Sequence, residues 1–302
     1  MEIIKPALYI TQQINGNPEY IANPGDSLHY EIFFKNIGEE TLIDLSLATT
    51  LIGDAFDLVT LKAPDGEYEI GDNSILWEWR RVGDLRFLNI QEEGKVEFWV
   101  KLKEEWEIPS SEGKEVIKNK IYLSQAREEF VNKVNSKLEI FQKGYFEDEV
   151  FGNSGSIPPR AGETTTYTIM WQVKNYYNDV KNVKVKATLP KNVKLTGKIF
   201  PEEETEKFTF DSQSREIVWN AGDLKVAQGI LPPTGGGGSN ISFQVALTPD
   251  STQIGKSAEI IGQAKIEGED SWTGLTLEST APVINTTLPD DQTVTGQQGI
   301  VR

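Results

Sequence analysis

Apolar and polar residues alternate without a break from Val183 to Leu189, placing Val183, Val185, Ala187 and Leu189 on one face and the lysines on the other. A period of two belongs to a half-buried antiparallel strand. Similar alternation runs through Leu28 to Phe34, Val96 to Leu102, Thr166 to Val173, Phe208 to Phe210 and Ile241 to Leu247, and no window sustains a helical period. These runs are rich in Val, Ile, Thr and aromatic residues, which suit a pleated surface. Asn23-Pro24-Gly25-Asp26, Lys35-Asn36-Ile37-Gly38, Pro64-Asp65-Gly66, Gly71-Asp72-Asn73 and the Leu231-Pro232-Pro233 glycine run read as turns or loops between them.

The chain also repeats itself. Pro24-Gly25-Asp26, Tyr30-Glu31-Ile32 and Lys35-Asn36 return as Ala161-Gly162-Glu163, Tyr167-Thr168-Ile169 and Lys174-Asn175, which reads as two extra residues between the second tyrosine and the second Lys-Asn. Leu45, Leu47 and Leu51 align with Val183, Val185 and Leu189, and Trp77 followed by Gly83-Asp84-Leu85 aligns with Trp219 followed by Gly222-Asp223-Leu224. Lys95 to Val100 matches Asn240 to Val245, and Gly113-Lys114 matches Gly255-Lys256. Six matches in one order are a duplication with a period of about 140 residues. Short strands in units a little over 100 residues long predict an all-β fold of two tandem Ig-like antiparallel β-sandwiches. The expected boundary follows the strand Lys137 to Gln142, giving residues 1–142 and 143–302, with the polar residues after Leu288 frayed apart from a final strand near Val294.

Composition narrows the chemistry. The 302 residues include no cysteine and one histidine, His29, which excludes disulfides, thiolate metal sites and any site needing two imidazoles. One imidazole among scattered Ser and Asp makes no catalytic triad. With 30 basic and 46 acidic residues the net charge of −16 repels nucleic acid and anionic lipid, so neither is an expected partner. The longest aliphatic or aromatic run, Ala7 to Ile10, is far too short to insert in a membrane, and the first residues lack the basic start and apolar stretch of a signal peptide.

The motif series of a Pro-Gly or Ala-Gly turn, Tyr-x-Ile, Lys-Asn, a strand ending Thr188-Leu189-Pro190, then Trp219 and Gly222-Asp223-Leu224, resembles the Ig-like conserved repeat of bacterial and archaeal surface proteins catalogued as a domain of unknown function. Arg160 to Leu247 is the better match and Pro24 to Leu102 the more divergent copy. Asn285 to Asp291 is similar to the ends of large surface proteins of poorly cultured bacterial lineages. The resemblance implies an extracellular, non-catalytic module of the cell surface, held by an anchor or signal absent from this chain. Its partners would be other domains of the same surface protein or cell-envelope components. The motifs mark strands and turns and supply no active-site residues.

Two functions follow as expectations: a structural or adhesive stalk segment, or a carbohydrate-binding or enzyme-accessory module. For the second, Trp79, Trp99 and Trp106 are the candidate stacking surfaces, edge packing being the simpler reading; Trp77, Trp219, Tyr30 and Tyr167 read as core. Glu147, Asp148 and Glu149 are candidate calcium ligands at the junction, although adjacent strand residues cannot all face one ion. No other cofactor is expected. Glu202-Glu203-Glu204 reads as solvated charge, and no pair stands out for a lysine–asparagine isopeptide bond.

Overall fold

The computed structural model describes residues 7–69, 71–108, 113–230 and 240–302; the expected Leu231-Pro232-Pro233 loop lies outside them. The chain divides into two compact units, the first ending at Asn135 and the second beginning at Ser136. In the first, the strands are β1 (Leu8–Ile14), β2 (Ser27–Asn36), β3 (Ser46–Ile52), β4 (Phe56–Lys62), β5 (Gly66–Glu69), β6 (Ser74–Glu78), β7 (Glu93–Leu102), β8 (Val116–Leu123) and β9 (Ala126–Lys133). They form a four-stranded sheet in the order β1-β2-β7-β4 and a five-stranded sheet in the order β9-β8-β3-β6-β5.

The second unit repeats this strand for strand. Its elements are β10 (Leu138–Tyr145), β11 (Thr165–Asn175), β12 (Val180–Thr188), β13 (Val193–Phe200), β14 (Phe208–Phe210), β15 (Glu216–Leu224), β16 (Asn240–Leu247), β17 (Ala264–Asp270) and β18 (Thr276–Ala281). Sheets β10-β11-β16-β13 and β18-β17-β12-β15-β14 reproduce the first unit's orders. Short ribbons, Leu42–Ile43 with Phe87–Leu88 and Glu259–Ile261 with Ile284–Asn285, lie beside the sheets. Each unit is an all-β, Ig-like sandwich of antiparallel sheets.

Register corrects two details of the sequence reading. The strand beginning near Lys137, expected to close the first unit, pairs along its whole length with β11, from Leu138 opposite Asn175 to Tyr145 opposite Thr168. It is the opening edge strand of the second unit, as β1 is of the first, so the boundary falls at 135/136 and not after Gln142. The shared Leu8-x-Ile10-x-Gln12 and Leu138-x-Ile140-x-Gln142 carry that equivalence, Gln12 lying opposite Ile32 and Gln142 opposite Trp171.

The second correction concerns the tyrosines. Leu28 faces Val100 as Tyr167 faces Val245, and Tyr30 faces Phe98 as Ile169 faces Phe243. Tyr167 therefore occupies the place of Leu28, and the two-residue insertion precedes it, within Thr164-Thr165-Thr166. The turns themselves match: Gly25 and Gly162 both have φ of +81°, and Asp26 and Glu163 donate their N–H groups back to Asn23 and Arg160. That left-handed backbone admits glycine with little strain. A shift of two leaves both tyrosines facing inward, which is why the sequence pattern tolerates either alignment.

Inward residues of the two sheets meet in a shared core. In the second unit Tyr167, Ile169 and Trp171 of β11 pack with Val183 and Val185 of β12, Trp219 of β15 and Phe243 of β16. In the first, Tyr30 stacks on Phe98 at 4.5 Å, and Trp77 reaches Phe98 from the facing sheet at 6.2 Å. The equivalent tryptophans Trp77 and Trp219 both bond their indole N–H: Trp77 donates to the Pro64 carbonyl at 3.1 Å and Trp219 to Glu204 Oε2 at 2.8 Å. Glu204 is thus buried, with Lys207 on its other oxygen at 2.8 Å, rather than solvated like its neighbours.

The segment after Leu288, expected to be frayed, is packed. Leu288, Val294 and Val301 are buried, and Ala161 N–H donates to the Arg302 carbonyl while Arg302 N–H donates to that of Pro159. The Asp291 carboxylate anchors the segment, accepting from the N–H groups of Phe146, Glu147 and Thr293 and from the Thr293 hydroxyl.

Candidate functional site

Alternation on β2 and β7 decides what the outer face of the first four-stranded sheet presents. With Leu28, Tyr30, Ile32 and Phe34 in the core, His29, Glu31 and Phe33 face outward; with Val96, Phe98 and Val100 inward, Lys95, Glu97 and Trp99 face outward. Antiparallel register sets His29 opposite Trp99, Glu31 opposite Glu97 and Phe33 opposite Lys95. The His29 and Trp99 rings are stacked, with centroids 4.3 Å apart and planes 3° from parallel. One face of the indole is covered by the imidazole.

Two carboxylates directly opposite each other repel unless a cation intervenes. Lys95 supplies it, its Nζ lying 3.0 Å from Glu31 Oε1 and 3.0 Å from Glu97 Oε2. His29 Nε2 lies 3.1 Å from the same Glu97 oxygen. Hydrogen bonds to Glu31 first, then Glu97, raise the Lys95 ammonium above the usual lysine value. The Lys95 hydrogen bond holds Glu97 below the usual carboxylate range, partial burial opposing and the His29 contact adding to it. A cleft of about 140 Å³, lined by Pro64, Asp65, Trp77, Val82, Lys95 and Glu97, opens beside the cluster.

The three candidate tryptophans do not form one aromatic platform. Trp99 stands on the outer sheet face, half-buried. Trp79 lies just past β6, beside the other sheet, with the Arg80 guanidinium 4.7 Å and that of Arg86 5.9 Å from its ring. Trp106 is buried beside Glu115, whose carboxyl is pushed up by burial, the indole opposing that rise. Trp171 is a core residue whose Nε1 donates to Gln142 Oε1 at 2.7 Å.

The acids expected at the junction instead follow β10 inside the second unit, where Glu147 and Glu149 are exposed and Asp148 turns back into its own loop. It accepts from Val150 N–H at 2.7 Å and Phe151 N–H at 3.2 Å, and from the Thr168 hydroxyl. Its carboxylate is thereby occupied in building the turn. Among the described residues, the acid and imidazole groups that do converge are His29, Glu31 and Glu97, whose ligand atoms all lie within 4.8 Å of one another. The sequence shows His29 and Glu31 to share a face; only the β2–β7 register adds Glu97.

A wider groove in the second unit, about 380 Å³, runs beside β10 and β18 and is lined by Phe141, Gln142, Ala281 and Pro282 among others. Its polar floor is already satisfied: the Gln142 amide donates to the carbonyls of Gly262 and Pro282, both at 2.9 Å, while its oxygen accepts from Trp171.

No family model and no curated protein matches the chain. Among solved structures it is similar to the C-terminal domain of the AgI/II polypeptide BspA of Streptococcus agalactiae, at 11% identity over 91% of this chain and 100% of that one, with a TM-score of 0.34. The C-terminal domain of the antigen I/II-family protein AspA of Streptococcus pyogenes gives 11% identity over 92% and 100%, TM-score 0.34. The full-length major pilin SpaD of Corynebacterium diphtheriae gives 10% identity over 82% and 65%, TM-score 0.31. Scores this low leave function to be read from the chain's own residues.

Proposed function

We propose that this chain is a non-catalytic structural or adhesive segment, a stalk or spacer, of a prokaryotic cell-surface protein. One observation carries the reading: two sandwiches of identical strand order hold equivalent buried side chains in equivalent architectural roles. Gln12 and Gln142 sit inside the first strand of each unit, and Asn36 and Asn175 close the second. Tandem repetition of a self-contained unit extends a surface protein without asking chemistry of any unit. The absence of cysteine and the surface-repeat motifs agree with an extracellular location. Partners would be neighbouring domains of the same protein or envelope components.

Brief protease treatment of intact cells of the source organism tests this. Release of peptides from this chain is the expected result; their appearance only after lysis would overturn the location. Turnover of any polysaccharide or chromogenic ester by the purified chain would overturn the non-catalytic reading.

A carbohydrate-binding role is the second reading, and it now rests on Trp99, because Trp106 is buried and Trp79 lies beneath Arg80. Glycan-array binding that disappears in Trp99→Ala would establish it. Binding indifferent to that substitution would remove its remaining support.

A further inference from the structure

We propose that His29, Glu31 and Glu97 form a binding site for a zinc-class divalent cation on the outer face of the first unit, a site that Lys95 occupies while the metal is absent. The donor set is one imidazole nitrogen and two carboxylate oxygens, a combination suited to zinc and neighbouring transition ions rather than to calcium, which favours oxygen alone.

The geometry is close to what an ion requires. Two ligands at about 2.0–2.1 Å from a tetrahedral zinc stand roughly 3.3 Å apart. His29 Nε2 and Glu97 Oε2 are already 3.1 Å apart, and all three ligand atoms lie within 4.8 Å of one another. Closing the set asks only that the Glu31 carboxylate move in by rotation of its own side chain. The imidazole is held in place, because its ring lies flat against Trp99 at 4.3 Å. Both supporting strands lie inside their sheet: β2 is bonded on both sides at His29 and Glu31, and β7 is paired with β2 at Glu97.

Lys95 marks the position of positive charge. Its ammonium bridges Glu31 and Glu97 at 3.0 Å to each, which is where an ion shared by the two carboxylates would sit. The lysine is exposed on a flexible stem, and the cleft toward Asp65 gives it somewhere else to go. Binding is then an exchange of one cation for another: a metal at three protein ligands, with the fourth position open to water, against a monovalent ammonium that returns to solvent. The exchange weakens the observed affinity by whatever Lys95 contributes, and makes the lysine the natural test.

The experiment is calorimetric titration of the full chain with zinc chloride in a non-chelating buffer, followed in parallel by the ring-proton NMR signals of His29. As His29 is the only histidine, those signals need no assignment. The expected result is one zinc per chain, with the His29 signals shifting or broadening in step with the heat. His29→Gln and Glu97→Gln should each weaken binding by more than roughly tenfold, while Lys95→Met tightens it by about tenfold. Thermal unfolding of each variant without zinc checks that the sheet is intact, and Glu97→Gln keeps the test decisive if His29→Gln perturbs the stack. No binding by the native chain at millimolar zinc would overturn the proposal. So would affinity unchanged by His29→Gln and Glu97→Gln, which would assign the heat to scattered surface acids, or affinity unchanged or weakened by Lys95→Met.

Discussion

Asn36 and Asn175 occupy the same place in two sandwiches, and each fastens a loop by the same pair of bonds. Both are fully buried at the last position of their strand. Asn36 Nδ2 donates to the carbonyls of Glu40 at 2.8 Å and Leu88 at 2.9 Å; Asn175 Nδ2 donates to those of Asn178 at 2.7 Å and Lys225 at 2.9 Å. The repeated Lys-Asn motif is therefore an internal clasp, not a surface feature. Replacing either asparagine by alanine takes the donor from one buried and one partly buried carbonyl, a loss of about 1–3 kcal/mol. Chemical denaturation should show the loss confined to the transition of the unit carrying the substitution. An equal effect on both units would contradict the clasp as a local device.

Glu204 shows how an acid in a run of three acquires a structural role. Glu204→Ala strips the acceptor from the buried Trp219 N–H and should cost about 1–3 kcal/mol. Glu204→Gln keeps an acceptor oxygen and should cost less, while Glu203→Ala should leave the denaturation midpoint of the second unit in place. Equal effects of the three would contradict the assigned bond.

Asp291 gives the second unit an acid-sensitive anchor. Burial works to raise its carboxyl, but the Thr293 hydroxyl and the N–H groups of Thr293, Phe146 and Glu147 outweigh it and hold it below the usual aspartate value. A carboxyl depressed in the folded state contributes stability that is complete above the unfolded value, about 3.9, and lost as pH falls through the lower folded value. Asp291→Asn should destabilise the second unit at neutral pH by about 1.5–3 kcal/mol. It should also flatten the stability curve below roughly pH 4. Thermal unfolding between pH 2 and 7 measures both, and parallel curves for the two proteins would contradict the assignment.

Much of this was legible in the residues. Alternation at Leu28 to Phe34, Val96 to Leu102 and Val183 to Leu189 named strands that the structure contains, since a half-buried strand writes its two faces into the sequence. What escaped depends on pairing. The strand at Leu138 alternates equally well as the end of one unit or the start of the next, and only its ladder with β11 decides. Tyr30 and Tyr167 invited an alignment two residues out, because such a slip preserves which face each side chain takes. The tail after Leu288 looked solvated because its polar groups are matched locally, Asp291 with Thr293 and Thr295 with Gln298, while Leu288, Val294 and Val301 carry the packing. The His29, Glu31 and Glu97 cluster needed the register of strands more than sixty residues apart in sequence.

The central claim is that the chain is a duplication of one self-contained sandwich, each copy opening with its own edge strand. Expression of residues 1–135, 136–302 and 143–302 as separate fragments tests it directly, because the third lacks most of β10 and with it Leu138, Ile140 and the Gln142 partner of Trp171. Residues 1–135 and 136–302 should each unfold cooperatively with sheet-rich circular dichroism and dispersed amide signals, and residues 143–302 should be unfolded or aggregated. Failure of residues 136–302 to fold alone, or folding of residues 143–302 with equal stability, would contradict the account.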